Sequence, residues 1–351
     1  PRAEVQRVRE ELGRTTYQEI MSQPDDWARL TDELRRTRSP FRDVSQVVLI
    51  GCGSQYYIGL SVAWLLRVLL DVRAEAVPAS EFLAFPEVHR PVRKRSLAVF
   101  VSRSGKTSEV VEACQRAREM GLRTLFLGAV QDSPLRSLAD QSVVFPYLDE
   151  KGICTTKATS GFLLALLWWC LEATGRGKGR AALTGLAEAG RKMLPRAEEV
   201  TNALAEAFTP RAIAFLGSGP LYGVAREGSL KSNEMALIPT AAFHSLEYRH
   251  GPRSLVARDI LVTGLVSREE EMALLDEVQG LGGRTFALCG GGTGPSEWRV
   301  GVDDTLEPLA RLPLYLVGVQ MLGLALSRAR GLNADAPRHL SRYVDLTQAE
   351  G

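Results

Sequence analysis

Short apolar runs rich in β-branched residues recur along the chain, VVLI at 47–50 and LAVFV at 97–101, and longer stretches of helical period separate them, such as TSEVVEACQRAREMG at 107–121. Runs of four or five apolar residues suit strands buried on both faces, and the alternation with helices predicts β-α-β crossovers and a parallel sheet. The pattern occurs twice. VVLIGCG at 47–53 returns as IAFLGSG at 213–219, LAVFVSR at 97–103 as VTGLVSR at 262–268, and GLRTLFLGA at 121–129 as GGRTFALCG at 282–290. The matches keep one order and nearly one spacing, so the chain reads as a duplication. The expected fold is α/β: two tandem doubly wound parallel-sheet units of flavodoxin-like, three-layer form, with a helical N-terminal arm and a short C-terminal tail. The arm and the first unit are expected over 1–198 and the second unit with the tail over 199–351, joined through RKMLPRAEEVTNALAEAF at 191–208.

Composition narrows the functions open to this fold. Lys and Arg total 43 against 41 Asp and Glu in 351 residues, a net charge of +2, without the basic excess that nucleic acid or an anionic membrane surface calls for. Five scattered cysteines without a C-x-x-C pair predict reduced thiols rather than a disulfide framework or a zinc site. The longest apolar runs, 161–171 and 312–327, fall short of about 18 residues and read as buried helices. The charged start PRAEVQRVREEL has no signal-peptide core, which predicts a cytoplasmic protein.

Two motifs invite nucleotide-binding readings and fail them. GCGSQYYIG at 51–59 has Tyr56 where the third glycine of the dinucleotide fingerprint belongs, and the second unit repeats the departure with Tyr222. VSRSGKT at 101–107 ends like a P-loop, but the first glycine of that motif would be Phe100, inside the apolar run. What remains is a strand, the turn Ser102-Arg103-Ser104-Gly105-Lys106-Thr107, and a helix. Hydroxyls and N–H groups there converge on a helix N-terminus, which suits one phosphate monoester. The second unit reads VSREEEM, with Glu269 and Glu270 in place of Ser104 and Gly105, so the anion site is expected in the first unit alone.

The third motif is REGSLKSNEM at 226–235, followed by FHSLEYRHGP at 243–252. Glu227, Lys231 and Glu234 stand at i, i+4 and i+7 and share one helix face. Most such triplets are surface ion-pair ladders. Here the helix follows the turn GSGP at the ligand end of the second sheet and leads to Glu247 and His250. A carboxylate, an amine and an imidazole together are the means for proton transfer on a carbonyl compound.

These segments, with Glu19-Ile20…Gln23-Pro24, GICTTKATSG and DAPRHL, run in the order of the sugar isomerase (SIS) family, and the chain resembles the isomerase half of the glutamine–fructose-6-phosphate aminotransferases. The resemblance implies that Ser102, Arg103, Ser104 and Thr107 hold a sugar phosphate, with Ser54 and Gln55 beside them and Thr155 closing the site. It implies Glu234 as the base that moves a proton between C1 and C2, Lys231 and Glu227 as its neighbours, and His250 as the ring-opening group, given by the partner of a homodimer. It implies neither a cofactor nor a metal.

Two departures bear on the reaction. The sequence starts at the isomerase half, without a glutaminase domain ahead of it. The family's Schiff-base lysine falls on Arg342, which stays protonated and is no amine nucleophile; a contact from Arg342 to a sugar or phosphate oxygen is still open to it. The expected function is therefore a phosphosugar isomerase of the glucosamine-6-phosphate deaminase type, releasing ammonia and a ketose 6-phosphate. The alternatives are aldose–ketose isomerisation, aminotransferase-like synthesis, and, in another class, a non-catalytic sugar-phosphate sensor.

Overall fold

The computed structural model describes residues 11–91, 95–175, 181–291 and 296–346. The chain forms two compact units, which are taken in turn.

The N-terminal unit comprises Asp26–Lys151, Lys157–Ala181 and Ser341–Gly351. Its strands are β1 (Gln46–Gly51), β2 (Arg73–Pro78), β3 (Ser96–Ser102), β4 (Arg123–Gly128) and β5 (Gln141–Val144). All neighbours are parallel, in the order β2-β1-β3-β4-β5. Every residue of β1 and β3 is buried, as continuous apolar runs require. Phe100 lies within β3, fully buried, so the strand takes the place where a P-loop would open. Helix α1 (Arg14–Leu34) contributes its second half to this unit, and its Trp27 indole donates to the Ser160 hydroxyl at 3.0 Å. Helices α2 (Ser54–Leu70) and α3 (Ser108–Glu119) link β1 to β2 and β3 to β4. The strand order reverses between these crossovers, so right-handed connections put α2 and α3 on opposite faces. Helix α4 (Lys157–Ala173), which carries the apolar run 161–171, is buried against α2.

The C-terminal unit comprises Pro1–Asp25, Gly152–Thr156 and Ala182–Leu340. Helix α5 (Leu186–Ala207) belongs to it whole, so the expected boundary at 198/199 falls inside a helix. The arm expected at the N-terminus begins in residues 1–10, outside the described residues; the first half of α1 is tied here, where Asp335 accepts the N–H groups of Thr15 and Thr16 and the Thr16 hydroxyl at 2.7–2.9 Å. The strands are β6 (Ala212–Gly217), β7 (Thr240–Phe243), β8 (Ile260–Val266), β9 (Arg284–Cys289) and β10 (Trp298–Gly301), all parallel, in the order β10-β9-β8-β6-β7. Read from the other edge, this is the order of the first sheet. The three repeated segments supply β1 and β6, β3 and β8, and β4 and β9, so the duplication expected from the sequence is the architecture.

Helix α6 (Leu221–Ala236) connects β6 to β7 and packs on α8 (Leu312–Ala329), which packs on α5. Helix α7 (Glu269–Gly280) connects β8 to β9 and closes the other face over a core of Val262, Val266, Leu274, Leu275 and Val278. The segment Pro308–Ala329 is long and apolar enough to cross a membrane by length and composition, but 89% of its apolar window is buried inside the protein. It is a core helix, as the uncharged run 312–327 implies.

The first turn of each unit shows why the glycines recur. Gly53 and Gly219 have φ of 53° and 56°, a region that glycine enters without strain. A Cβ on Gly217 would lie 2.4 Å from the Leu221 carbonyl oxygen, whereas one on Gly51 would lie 3.0 Å from the Gln55 Cβ. The clash at 217 is with backbone. Gly217→Ala is therefore expected to cost about 1–3 kcal/mol, as other overpacking changes do, and Gly51→Ala less. Thermal unfolding of the two variants measures this, and equal midpoints would refute the difference.

Candidate active site

In the N-terminal unit the two predicted anion-binding segments meet. β1 and β3 are neighbours, and the order of the sheet reverses at them, which is where doubly wound sheets hold ligands. Ser54 and Gln55 open α2 beyond β1, both buried. Ser102, Arg103 and Ser104 follow β3, also buried, while Thr107 is half-buried at the N-cap of α3 and Lys106 is exposed. The Ser102 hydroxyl accepts the N–H of Gly105 at 3.1 Å and the Ser104 hydroxyl that of Lys106 at 3.2 Å. These bonds fold the turn into a cup, and each hydroxyl keeps its proton to donate.

Arg103 does something the sequence did not foretell. Its guanidinium lies 3.8 Å from the buried carboxylate of Glu150 and donates to the carbonyl of Arg342 at 2.6 Å. The Arg342 guanidinium is bonded to Asp149 at 2.5 Å. Farther along the tail, the Val344 carbonyl accepts the Ser108 N–H at 3.2 Å, and the Leu346 N–H reaches the Ser108 hydroxyl at 3.1 Å. The C-terminal tail thus lies along the anion turn, and Arg342 is brought beside the residues expected to bind phosphate.

The residues expected to move protons lie in the C-terminal unit. Glu227 and Lys231 on α6 are fully buried, and Glu234 has a side chain 19% exposed. The Lys231 ammonium is 2.5 Å from Glu234 and 3.4 Å from Glu227. Burial, the largest influence on this group, opposes its charge, but Glu227 and then Glu234 outweigh it and hold the ammonium above its ordinary pKa, with Cys154 adding in the same direction. Lys231 is thus a fixed positive charge, and Glu234 is the member of the array that meets solvent.

Cys154 and Thr155 belong to the loop 152–156 of the same unit, Thr155 half-buried. The loop is held by residues that carry the family resemblance or that sequence reading passed over. Glu19 accepts the Gly152 N–H at 3.2 Å. Gln23 donates to Gln320 at 2.7 Å, and Gln320 donates to the Thr156 carbonyl at 3.1 Å. Gln320 was missed; the signal for it was a lone amide in the apolar run LPLYLVGVQMLGLALS.

His250 is not brought to this array. It follows the 3₁₀ turn Leu246–Arg249, is exposed, and its N–H donates to the Glu247 carbonyl at 2.9 Å. Its neighbours Arg249 and Arg253 are ion-paired with Glu277 of α7 at 2.7 and 3.3 Å, and Tyr248 is packed in the core under α7. Helices α6 and α7 cover opposite faces of the second sheet, so the sheet stands between His250 and Glu234 of one chain. Helix α6 starts at the ligand end of that sheet but runs back, and its later turns lie beside the start of β7, where the Thr240 hydroxyl donates to the Ser229 carbonyl and the Asn233 amide oxygen at 3.0 Å.

Comparison with known proteins fits this geometry. Residues 41–168 match the family model of the SIS domain. The chain is 29% identical over 322 residues to the glutamine–fructose-6-phosphate aminotransferase (isomerizing) of Fusobacterium nucleatum, covering 87% of this chain and 52% of that protein. It is 27% identical over 333 residues to that of Clostridium perfringens, covering 89% and 54%. The chain spans about half the length of these relatives. Among solved structures it is similar to a glucosamine-6-phosphate deaminase from Thermotoga maritima, with a TM-score of 0.79, 28% identity, and coverage of 94% of this chain and 99% of that one. Its fold is also that of a tagatose-6-phosphate ketose/aldose isomerase from Escherichia coli, with a TM-score of 0.80 at 22% identity over 91% of this chain and 94% of that one. Residues 41–168 thus form a SIS domain, and the second unit repeats its five-stranded parallel topology, so the chain has the tandem architecture of the sugar isomerases it is similar to.

Proposed function

We propose that the protein is a phosphosugar isomerase that deaminates an amino sugar 6-phosphate of the glucosamine type. The observation that carries the reading is the array on α6, where a buried ammonium sits between two carboxylates and only Glu234 opens to solvent. A fixed positive charge beside a carboxylate is suited to a proton transfer that builds negative charge on the substrate. The 28% identity to a glucosamine-6-phosphate deaminase, over nearly the whole of both chains, supports the choice of substrate.

The phosphate is held by the hydroxyls of Ser102, Ser104 and Thr107, with Ser54 and Gln55 completing the cradle and the Arg342 guanidinium available to a sugar or phosphate oxygen. Arg103 acts by holding the tail. His250 opens the pyranose by proton transfer. Glu234 takes the C2 proton, giving an enolamine; reprotonation at C1 gives a ketimine, which water hydrolyses to the ketose 6-phosphate and ammonia. Glutamine-dependent synthesis in the manner of the aminotransferases is disfavoured, because Arg342 stands at the Schiff-base position and an arginine is no amine nucleophile.

The separation of His250 from Glu234 by the second sheet supports a homodimer in which each site takes Glu234 from one chain and His250 from the other. The protein then works as a cytoplasmic dimer, without nucleic acid or membrane partners.

Purified protein given glucosamine 6-phosphate without glutamine is expected to release ammonia and fructose 6-phosphate in equal amounts. Glu234→Gln should lose roughly 10²–10⁴-fold in kcat, the usual worth of a general base, while sugar-phosphate binding is kept. Tight binding by a wild type that turns over no aldose or amino sugar phosphate would instead establish a sensor, and isomerisation without ammonia a plain aldose–ketose isomerase. The shared site is tested by mixing Glu234→Gln chains with His250→Ala chains. Random pairing in a two-fold dimer should restore roughly a quarter of wild-type activity, because half the dimers then hold one intact site. No recovery, with exchange of chains verified, would place both residues in one chain's site.

A further inference from the structure

The turn after β3 has a counterpart after β8, and the two differ in an instructive way. Ser267 and Arg268 stand where Ser102 and Arg103 do, and Glu269, Glu270 and Glu271 stand where Ser104, Gly105 and Lys106 do. The sequence suggested that Glu269 and Glu270 repel an anion, but both are exposed; Glu271 is the one that turns inward, 3% exposed. Its Oε2 accepts the Ser267 N–H at 2.7 Å, the Ser267 hydroxyl at 3.1 Å and the Arg268 N–H at 3.2 Å. Its Oε1 is buried, lies 3.8 Å from the Arg268 guanidinium and has no hydrogen-bond partner among the described residues. Successive N–H groups, a hydroxyl and a guanidinium at the start of a helix are the donor set of an oxyanion site, here gathered around a carboxylate of the chain itself.

We propose that Glu271 is an internal stand-in for a phosphate group: it fills a second oxyanion turn, built by the duplication, and so limits each chain to one phosphate site. The proposal rests on the reading of Ser102–Thr107 as the phosphate cradle. In the first unit Lys106 occupies the equivalent position with an exposed side chain, and its N–H is turned to Ser104. The same contacts of Glu271 also make a helix capping box. The two roles differ in what removal of the carboxylate leaves behind. A cap leaves a weaker helix; a stand-in leaves an open site for an oxyanion.

Calorimetric titration with inorganic phosphate separates them, using the wild type, Glu271→Ala, and the triple change Glu269→Ser, Glu270→Gly, Glu271→Lys, which writes the SRSGK turn into the second unit. The expected stoichiometry is one phosphate per wild-type chain and two for both variants. Should Glu271→Ala fail to fold by circular dichroism, the triple variant decides. One phosphate in the wild type and one in a folded variant overturns the stand-in and leaves the cradle. None in the wild type but one in the variants refutes the first cradle and keeps the stand-in. Two in the wild type, or none throughout, overturns the proposal.

Discussion

A charged amine with no exposure to water is the constraint around which the C-terminal unit is arranged. Leaving water costs an ammonium several kcal/mol, and the loss is met only by close, well-aligned partners. Lys231 has two, at helical spacings that put carboxylates on its own face, one turn before it and one turn after. Gly323 of α8 lets that helix approach the backbone of Lys231, since a Cβ there would be 3.3 Å from its carbonyl oxygen. The array therefore has a closed side and an open side. Glu227 is sealed in, and Glu234, with its side chain 19% exposed, is not. The loop 152–156 is held to the same centre by Glu19 and by the Gln23–Gln320–Thr156 chain of hydrogen bonds, so residues far apart in sequence serve one buried charge.

Much of this was legible in the sequence where the information is local. Strands of a parallel sheet are apolar on both faces, so VVLI, LAVFV and their later copies announced themselves. The positive φ at Gly53 and Gly219 and the tight approach at Gly217 explain why the same turn is spelled twice. The helical period placed Glu227, Lys231 and Glu234 on one face. What period cannot say is whether that face looks to solvent or to a neighbouring helix, and here the difference turns an ordinary ion-pair ladder into a buried array.

The rest depended on contacts between distant segments. Nothing near Arg103 indicates that its guanidinium will lie against Glu150 and the carbonyl of Arg342, and that pairing ties the anion turn to the tail. The side of the sheet that carries His250 follows from the ion pairs of Arg249 and Arg253 with Glu277, and these need the packed fold to be seen. The grouping of residues 11–25 and 152–156 with the second sheet is likewise a matter of long-range bonds such as those of Asp335 to the start of α1. Composition at the supposed boundary carries no trace of it.

The tail shows what an arginine contributes at a position where the family resemblance leads one to look for a lysine. A lysine there matters as a nucleophile, which requires a neutral amine free to approach a carbonyl carbon. Arg342 has neither property, being permanently charged and fixed to Asp149. What it retains is a cation and a backbone carbonyl on the strand of tail that lies along the anion turn, and the carbonyl is the one that Arg103 grips. Charge and position survive while covalency is lost. A reaction that must attach nitrogen to a ketose through a protein imine is hindered by that exchange. A reaction that only moves protons on a bound amino sugar phosphate, and lets water take the nitrogen away, is not.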